Sequence, residues 1–268
     1  MPVSTTDIQT ALKQMRRIDL SEMEAIKLMN RIDTKYIANR RQLLQILTLA
    51  LNDYRAQNID KEIISKYDTI YFDTADVAMY QRHHDRRLQR QKIRTRKYVT
   101  SDIAFVEIKN KTNKGHTQKV RTAIGNDAWH DFRIDTAAAQ FVASRTKYDV
   151  ATLLPQVRTR FDRITLVNNA KTERLTIDMN LTFDNYTTRQ TVSLNELIII
   201  ELKQDSQADS PMKRILRDLR IFPAKISKYC IGTALTNPDV RSNRFKIKIR
   251  KIEKLTQHRL TATKQPTK

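Results

Sequence analysis

Several segments of this 268-residue chain alternate charged and apolar residues with the period of two that is typical of β-strands. In one of them, Lys92, Arg94 and Arg96 share a face. The same alternation groups Glu107 with Lys109 and Lys111, Lys119 with Arg121, Arg174 with Asp178, and Glu201 with Lys203. Such strands normally turn their charges to water, but so many basic rows would fit equally well around a closed, wet cavity. A basic cavity would bind a polyanion.

The overall charge points to the same kind of partner. The chain has 50 Lys and Arg against 29 Asp and Glu, which gives a formal net charge of +21. This excess attracts nucleic acid, polyphosphate, nucleotides or an anionic membrane surface. A merely solubilising surface explains scattered lysines well, but it explains arginines placed within strands less well.

Cysteine usage and hydropathy indicate the compartment. Cys230 is the only cysteine, so an intramolecular disulfide and a cysteine metal cluster are both excluded. This usage suits a reducing cytoplasm. The first residues lack the apolar stretch of a signal peptide, and no apolar run approaches the ~20 residues of a membrane span. We therefore expect a cytoplasmic protein, with peripheral membrane association left open.

The order of predicted elements indicates one α+β domain built on an antiparallel barrel. Helices are predicted over 7–30, 40–52 and 127–148, and from Pro211 after an N-cap at Ser210. Strands are predicted over 31–37, 69–73, 91–98, 103–109, 118–124, 157–167, 174–183 and 197–203. The predicted divisions are an N-terminal helical segment over 1–30, a barrel domain over 31–240 and a basic C-terminal extension over 241–268.

Short motifs in a fixed order carry a family resemblance. They are Arg31–Tyr36, Tyr71–Thr74, Lys92–Arg96, Phe161–Arg163, Glu173–Asp178, Ile199–Lys203 and Lys225–Tyr229. In this order and spacing the chain resembles the VTC domain of polyphosphate polymerases, which belong to the triphosphate tunnel metalloenzymes. The resemblance implies an eight-stranded antiparallel β-barrel tunnel with a polar, basic interior and flanking helices. It also implies transfer of the γ-phosphate of ATP to a growing polyphosphate chain.

The resemblance implies further ligands and a site. The metal would be Mn²⁺ or Mg²⁺, the partners would include ATP, polyphosphate, pyrophosphate or triphosphate, and a membrane-protein partner is compatible with the family. Carried over by position, the implied catalytic residues are Arg94, Arg96, Lys119, Arg163, Arg174 and Lys225. The implied substrate-binding residues are Lys35, Lys109, Arg121, Lys203, Ser227 and Lys228, and the implied metal ligand is Glu201.

The chemistry fits these residue types, because phosphoryl transfer requires mainly positioning and charge neutralisation. Two positions depart from the family. Phe161 stands where the motif can carry tyrosine, and the first strand lacks the paired glutamates of the hydrolytic branch. Fewer carboxylates disfavour a two-metal site for water activation.

Alternatives remain open at this point. Arg94 and Arg96 could form an exposed strand face, Glu201 could simply neutralise Lys203, and the lysines of the 225–228 loop could be solvated. A tunnel triphosphatase and a polyphosphate-binding protein without activity are the competing functions. Nucleic-acid binding is disfavoured, because the sequence indicates neither an aromatic stacking platform nor a recognition helix. Tyr71 and Tyr229 are interpreted as core residues.

Overall fold

The computed structural model describes residues 3–24, 31–113, 116–205 and 209–260. Its strands are β1 Arg16–Ile18, β2 Arg31–Ala38, β3 Tyr54–Gln57, β4 Ile64–Asp73, β5 Arg90–Tyr98, β6 Ile103–Lys111, β7 Thr117–Ile124, β8 Leu154–Asn168, β9 Glu173–Asn185, β10 Thr191–Leu194 and β11 Ile198–Asp205. Its α-helices are α1 Thr5–Gln14, α2 Leu20–Glu24, α3 Arg40–Leu49, α4 Ala78–His84, α5 Thr136–Ala143, α6 Pro211–Asp218, α7 Lys228–Thr236 and α8 Lys246–Thr256.

Eight strands form one continuous antiparallel sheet in the order β2-β11-β9-β8-β4-β5-β6-β7. All eight correspond to strands predicted from the sequence. The sheet curls into a half-barrel, and among the described residues its end strands β2 and β7 are not paired with each other. The predicted fold class, an eight-stranded antiparallel β-barrel tunnel with flanking helices, is confirmed, and the structure shows it as a curled half-barrel.

Local features of the strands explain part of the curl. The register shifts between Tyr71 and Phe72 where β4 meets β8, and between Arg160 and Asp162 where β8 meets β9. Such irregularities bend a strand and increase its twist. The predicted β8–β9 hairpin is also present, and its turn is closed by the Asn168 side chain, which accepts hydrogen bonds from the backbone of the following turn.

Helices cover the convex face of the sheet. Helices α1, α3 and α6 pack on one side of β2, β11, β9 and β8, where Ile200 and Leu202 are fully buried. Helix α5 packs over β4, β5 and β6, where Ile93 and Ile108 are fully buried. Because side chains alternate along a strand, the residues between these apolar positions face the concave side.

One part of the concave face is apolar and is covered by α7 and α8. Tyr229 of α7 and Ile252 of α8 pack there with Phe183 and Ile199 from the sheet. A β-carbon at Gly232 would lie 2.5 Å from Cδ1 of Phe183, so the close approach of α7 to the sheet requires a residue without a side chain. The remaining part of the concave face carries the charged rows.

The chain ends differ from the sequence prediction. The helix predicted over 7–30 is interrupted by β1, because Arg16–Ile18 pairs in parallel with the distant strand β3. Residues 25–30 of that helix, and residues 261–268 of the basic extension, lie outside the described residues. Part of the extension forms α8, whose Ile249 and Ile252 are buried in the apolar cluster under α7. The domain limits at 30 and 240 stay a prediction.

Across the described ranges, no helix is long and apolar enough to cross a bilayer.

Candidate active site on the concave face

The strand registers place the charged side chains of neighbouring strands side by side. Across β5, β6 and β7, one row consists of Lys92, Lys109 and Lys119, and the next contains Arg94, Glu107 and Arg121. At the other edge of the sheet, Lys35 of β2 lies opposite Glu201 of β11, and Lys203 lies opposite Arg174 of β9. The curl then turns these rows toward one another.

Glu107 is the centre of the first cluster and is only 1% exposed. Arg94 donates to one of its oxygens from Nε at 2.7 Å and also approaches it with Nη2 at 2.6 Å. Lys119 donates to the other oxygen at 2.6 Å, and Arg96 lies 3.9 Å away. Burial alone would raise the pKa of the Glu107 carboxyl, but Arg94, Arg96 and Lys119 together hold it well below its usual range.

Asp178 of β9 is the centre of the second cluster. Arg163 of β8 donates to both of its oxygens, from Nε at 2.6 Å and from Nη2 at 2.9 Å. Lys228, at the start of α7, forms an ion pair with the same carboxylate. Although burial opposes ionisation, Arg163 and Lys228 hold the pKa of the Asp178 carboxyl well below its usual range. Burial lowers the pKa of Lys228 itself to about 8.

Glu201 is the centre of the third cluster. Its carboxylate lies 2.9 Å from Nζ of Lys203 and 3.6 Å from Nζ of Lys35. These two ammonium groups outweigh the effect of burial and hold the pKa of the Glu201 carboxyl below its usual range. Removal from water, reinforced by the charge of Lys35, lowers the pKa of Lys109 to about 8. Lys35 and Lys109 are on β2 and β6, which are not neighbours in the strand order of the sheet.

The first turn of α7 joins the sheet at this site. Ser227 caps the helix by accepting from the backbone N–H of Cys230, and it also accepts from Nζ of Lys92 at 2.8 Å. The Lys228 ammonium lies 4.3 Å from the ring centroid of Phe161. The Phe161 ring, at the position where the family's motif can carry tyrosine, thus contacts a site cation through its π face.

Tyr71 brings a phenol among these cations. Its hydroxyl accepts from Nη1 of Arg94 at 3.3 Å, and its ring stacks on Tyr229 with centroids 5.1 Å apart. Burial raises the pKa of the Tyr71 phenol, but the combined charge of Arg94, Arg96, Lys228 and Lys92 lowers it to about 8. Tyr71 therefore contributes a polar group to the site as well as an apolar ring to the core.

Three further residues predicted from the sequence flank the clusters. Lys225 is exposed, and its charge acts on Lys248 of α8. Arg121 is also exposed and lies over the ring of Phe105, 4.4 Å from its centroid. Arg174 is partly buried beside Lys203. The other ten predicted residues belong to the three clusters or to their immediate neighbours on the concave face and α7, namely Lys35, Arg94, Arg96, Lys109, Lys119, Arg163, Glu201, Lys203, Ser227 and Lys228.

Four residues of the site were not predicted as functional: Lys92, Tyr71, Glu107 and Asp178. The strand alternation already placed Lys92 beside Arg94, Glu107 beside Lys109, and Asp178 with Arg174. That alternation was therefore the signal available for three of them. Tyr71 lies in the Tyr71–Thr74 motif, but the contact of its hydroxyl with Arg94 depends on the pairing of β4 with β5.

Of the three central carboxylates, Glu201 is the one best suited to hold a metal ion. Within the described ranges, no group of three or more His, Cys, Asp or Glu side chains is placed to hold a metal ion. Glu107 and Asp178 are each bonded closely to two cations. Glu201 is 22% exposed and has one pair at the longer distance of 3.6 Å. It suits a divalent ion that takes one protein carboxylate and completes its shell with phosphate oxygens and water, as Mg²⁺ often does.

Comparison with known proteins assigns the family. The model of the VTC domain matches residues 30–237, which is most of the chain. The chain belongs to the VTC domain family. This is a triphosphate tunnel family, whose members bind triphosphate-type substrates, generally use divalent metals and carry out phosphoryl-related reactions. No curated protein matches the chain.

Solved structures show more distant likenesses. An adenylate-cyclase-like protein from Bacillus halodurans has a TM-score of 0.48 and 12% identity, covering 74% of this chain and 96% of its own. An adenylyl-cyclase-like protein from Hippeastrum, described as having a dominant triphosphatase activity, has a TM-score of 0.47 and 14% identity, covering 77% and 96%. A similar protein from Vibrio parahaemolyticus has a TM-score of 0.43 and 10% identity, covering 77% and 99%.

Proposed function

We propose that this VTC-domain protein is a polyphosphate polymerase, which transfers the γ-phosphate of ATP to the end of a polyphosphate chain. The observation that carries the proposal is the concave face, where lysines and arginines from β2, β5, β6, β7, β8, β11 and α7 surround three carboxylates and outnumber them. Such a surface suits a ligand that is anionic along its whole length.

Binding follows from the donor geometry. Arg94 and Arg163 present planar guanidinium groups, which match phosphate oxygens through paired hydrogen bonds. Lys35, Lys109 and Lys119 add compact charges along the same face. Together these groups would hold the triphosphate and the acceptor chain in line and would neutralise charge on the transferred phosphoryl group.

The transfer needs no protein nucleophile. An oxygen of the terminal phosphate of the acceptor chain forms the new bond to the γ-phosphorus of ATP, while the bond to the β–γ bridging oxygen breaks and ADP leaves. This acceptor oxygen is already anionic at neutral pH, so no general base has to remove a proton from it. Protonated Lys109 and Lys228 would stabilise the charge by donating hydrogen bonds.

Glu201 is the residue that would hold a divalent metal, Mn²⁺ or Mg²⁺. When bound, such an ion neutralises negative charge on the phosphate oxygens of the nucleotide. Lys35 and Lys203, which form ion pairs with Glu201, would then contact the same phosphates. The metal and both lysines would thus bind one nucleotide.

The proposal is tested by product analysis of the full chain. Purified protein is incubated with ATP and Mn²⁺ or Mg²⁺, and the products are separated on a gel stained for polyphosphate while free phosphate is measured in parallel. A metal-dependent ladder supports the polymerase. Free phosphate without a ladder would support the triphosphatase, and tight polyphosphate binding with neither product would indicate a binding protein.

A further inference from the structure

Two buried carboxylates of the concave face have the same arrangement. Glu107 and Asp178 are 1% and 3% exposed, and each is bonded to one arginine and one lysine. In both clusters the two cations come from different elements. Arg94 and Lys119 come from β5 and β7, while Arg163 and Lys228 come from β8 and α7.

The two arginines are also oriented alike. Arg94 and Arg163 each direct the edge formed by Nε and Nη2 at the carboxylate, so the Nη1 end is turned away from it. In Arg94 that end contacts the hydroxyl of Tyr71, inside the concave face. The carboxylate therefore fixes which donors of the guanidinium remain available for a further anion.

Ligand attraction and fold stability do not explain these carboxylates. A negative charge beside a phosphate site opposes ligand binding. A buried ion pair is itself often no more stabilising than apolar residues of similar volume, because both charges lose their hydration. What the carboxylates do provide is a fixed orientation of the cations. This orientation matters because catalysis of phosphoryl transfer depends on positioned charge.

We infer that Glu107 and Asp178 are positioning residues, which hold Arg94 with Lys119 and Arg163 with Lys228 in the orientation that a phosphate chain requires. This inference rests on the proposed function for its rate readout. It predicts that loss of either carboxylate lowers turnover without lowering affinity for the polyanion, because the cations remain while their orientation is lost.

Strand β9 offers a matched pair of variants. Asp178 bonds Arg163 on the concave face, and Asp184 of the same strand bonds Arg160 of the same neighbouring strand at 2.9 Å. Asp178→Asn should reduce turnover roughly 10-fold to 100-fold, the scale of a small misplacement. Its Kd for tripolyphosphate, measured by calorimetry, should stay unchanged or decrease. Asp184→Asn should change neither quantity.

Glu107→Gln provides an independent test of the first cluster, with the same expected split between turnover and Kd. Turnover is measured as the sum of polymer and free phosphate, so that hydrolytic activity is also detected. Loss of affinity as large as the loss of turnover, or wild-type turnover in both variants, would overturn the inference. A variant that fails to fold even with saturating tripolyphosphate would assign its carboxylate to the fold and would also overturn it.

The inference can also be tested if the proposed function is wrong. If the wild-type protein yields neither product, NMR measures how fast the Nε–H proton of Arg163 exchanges with water, which reports how firmly this side chain is held. Asp178→Asn should speed its exchange with water, tripolyphosphate should slow it again, and Asp184→Asn should leave it unchanged. Equal exchange in all three proteins would overturn the inference without reference to turnover.

Discussion

The Tyr71 hydroxyl accepts a hydrogen bond from Nη1 of Arg94, so a titratable phenol touches a guanidinium of the candidate active site. The pKa of this phenol is lowered to about 8, as are those of the Lys109 and Lys228 ammonium groups. Three groups of the concave face thus change charge in one narrow pH range.

Polyanion affinity should fall as the pH rises through about 8. Below that pH both lysines are positive and Tyr71 is neutral, while above it the lysines lose their charge and Tyr71 becomes negative. Every change opposes an anion, so the Kd for tripolyphosphate should increase by roughly tenfold per pH unit for each coupled proton. Calorimetry from about pH 7 to about pH 9.5 measures it. Tyr71→Phe should make the dependence shallower, and a flat wild-type profile would contradict the prediction.

Glu201→Gln should separate metal binding from a simple ion pair. If Glu201 carries the metal, metal-dependent turnover should fall roughly a thousandfold, while metal-free polyphosphate binding persists or strengthens. A purely structural pair with Lys35, directly opposite on β2, predicts instead a stability loss of about 0.2 to 1 kcal/mol and little change in rate. Glu196→Gln is a suitable control, because Glu196 is 46% exposed and approaches Arg40. Near-normal turnover in the Glu201 variant would remove this residue from the site.

Arg94→Gln should weaken tripolyphosphate binding and also lower stability. A charge-assisted hydrogen bond contributes about 1.5 to 3 kcal/mol, so the Kd should increase roughly 10-fold to 100-fold. Removing one of several neighbouring cations would by itself relieve repulsion, but the bond of Arg94 to buried Glu107 outweighs this effect on stability. Arg160→Gln removes an equal charge from an exposed pair with Asp184. A comparable loss of affinity in both variants would indicate a nonspecific charge effect.

Helix α8 should be required for stability, even though its sequence is predicted to be a basic extension. Ile252 is fully buried and Ile247 is 82% exposed on the same helix. Ile252→Ala should cost about 2 to 5 kcal/mol of unfolding free energy, and Ile247→Ala should stay within about 0.5 kcal/mol. Urea titration measures both. Equal stabilities would show that α8 is not part of the folded core.

The sequence was sufficient to predict the eight main strands and to group their charges on one face of each strand. A period of two is local, so the row of Lys92, Arg94 and Arg96 could be placed on one face before any strand pairing was known. The pairing partners were not accessible in the same way. Glu107 acquires its role because β5 and β7 flank β6, which brings Arg94 and Lys119 to one carboxylate. Within β6 alone, Glu107 looks like a carboxylate that merely neutralises the neighbouring lysines.

Loop residues were harder to assign than strand residues. Lys225 and Lys228 lie three positions apart and were both predicted to be site residues. Lys228 enters the site with the first turn of α7, while Lys225 stays exposed. The strand β1 was missed for a related reason. It has three residues, and its pairing with β3 depends on the tertiary fold more than on local preference.

Three consecutive residues at the start of α7 contact three different strands. Ser227 binds Lys92 of β5, Lys228 binds Asp178 of β9, and Tyr229 donates to Asp73 at the end of β4. Since hydrogen bonds between β2 and β7 do not close the sheet in the described part of the chain, its radius of curvature is not set by ring closure. A single helical turn connects strands β5, β9 and β4 across the concave face, so we expect changes in α7 to alter the width available to a ligand.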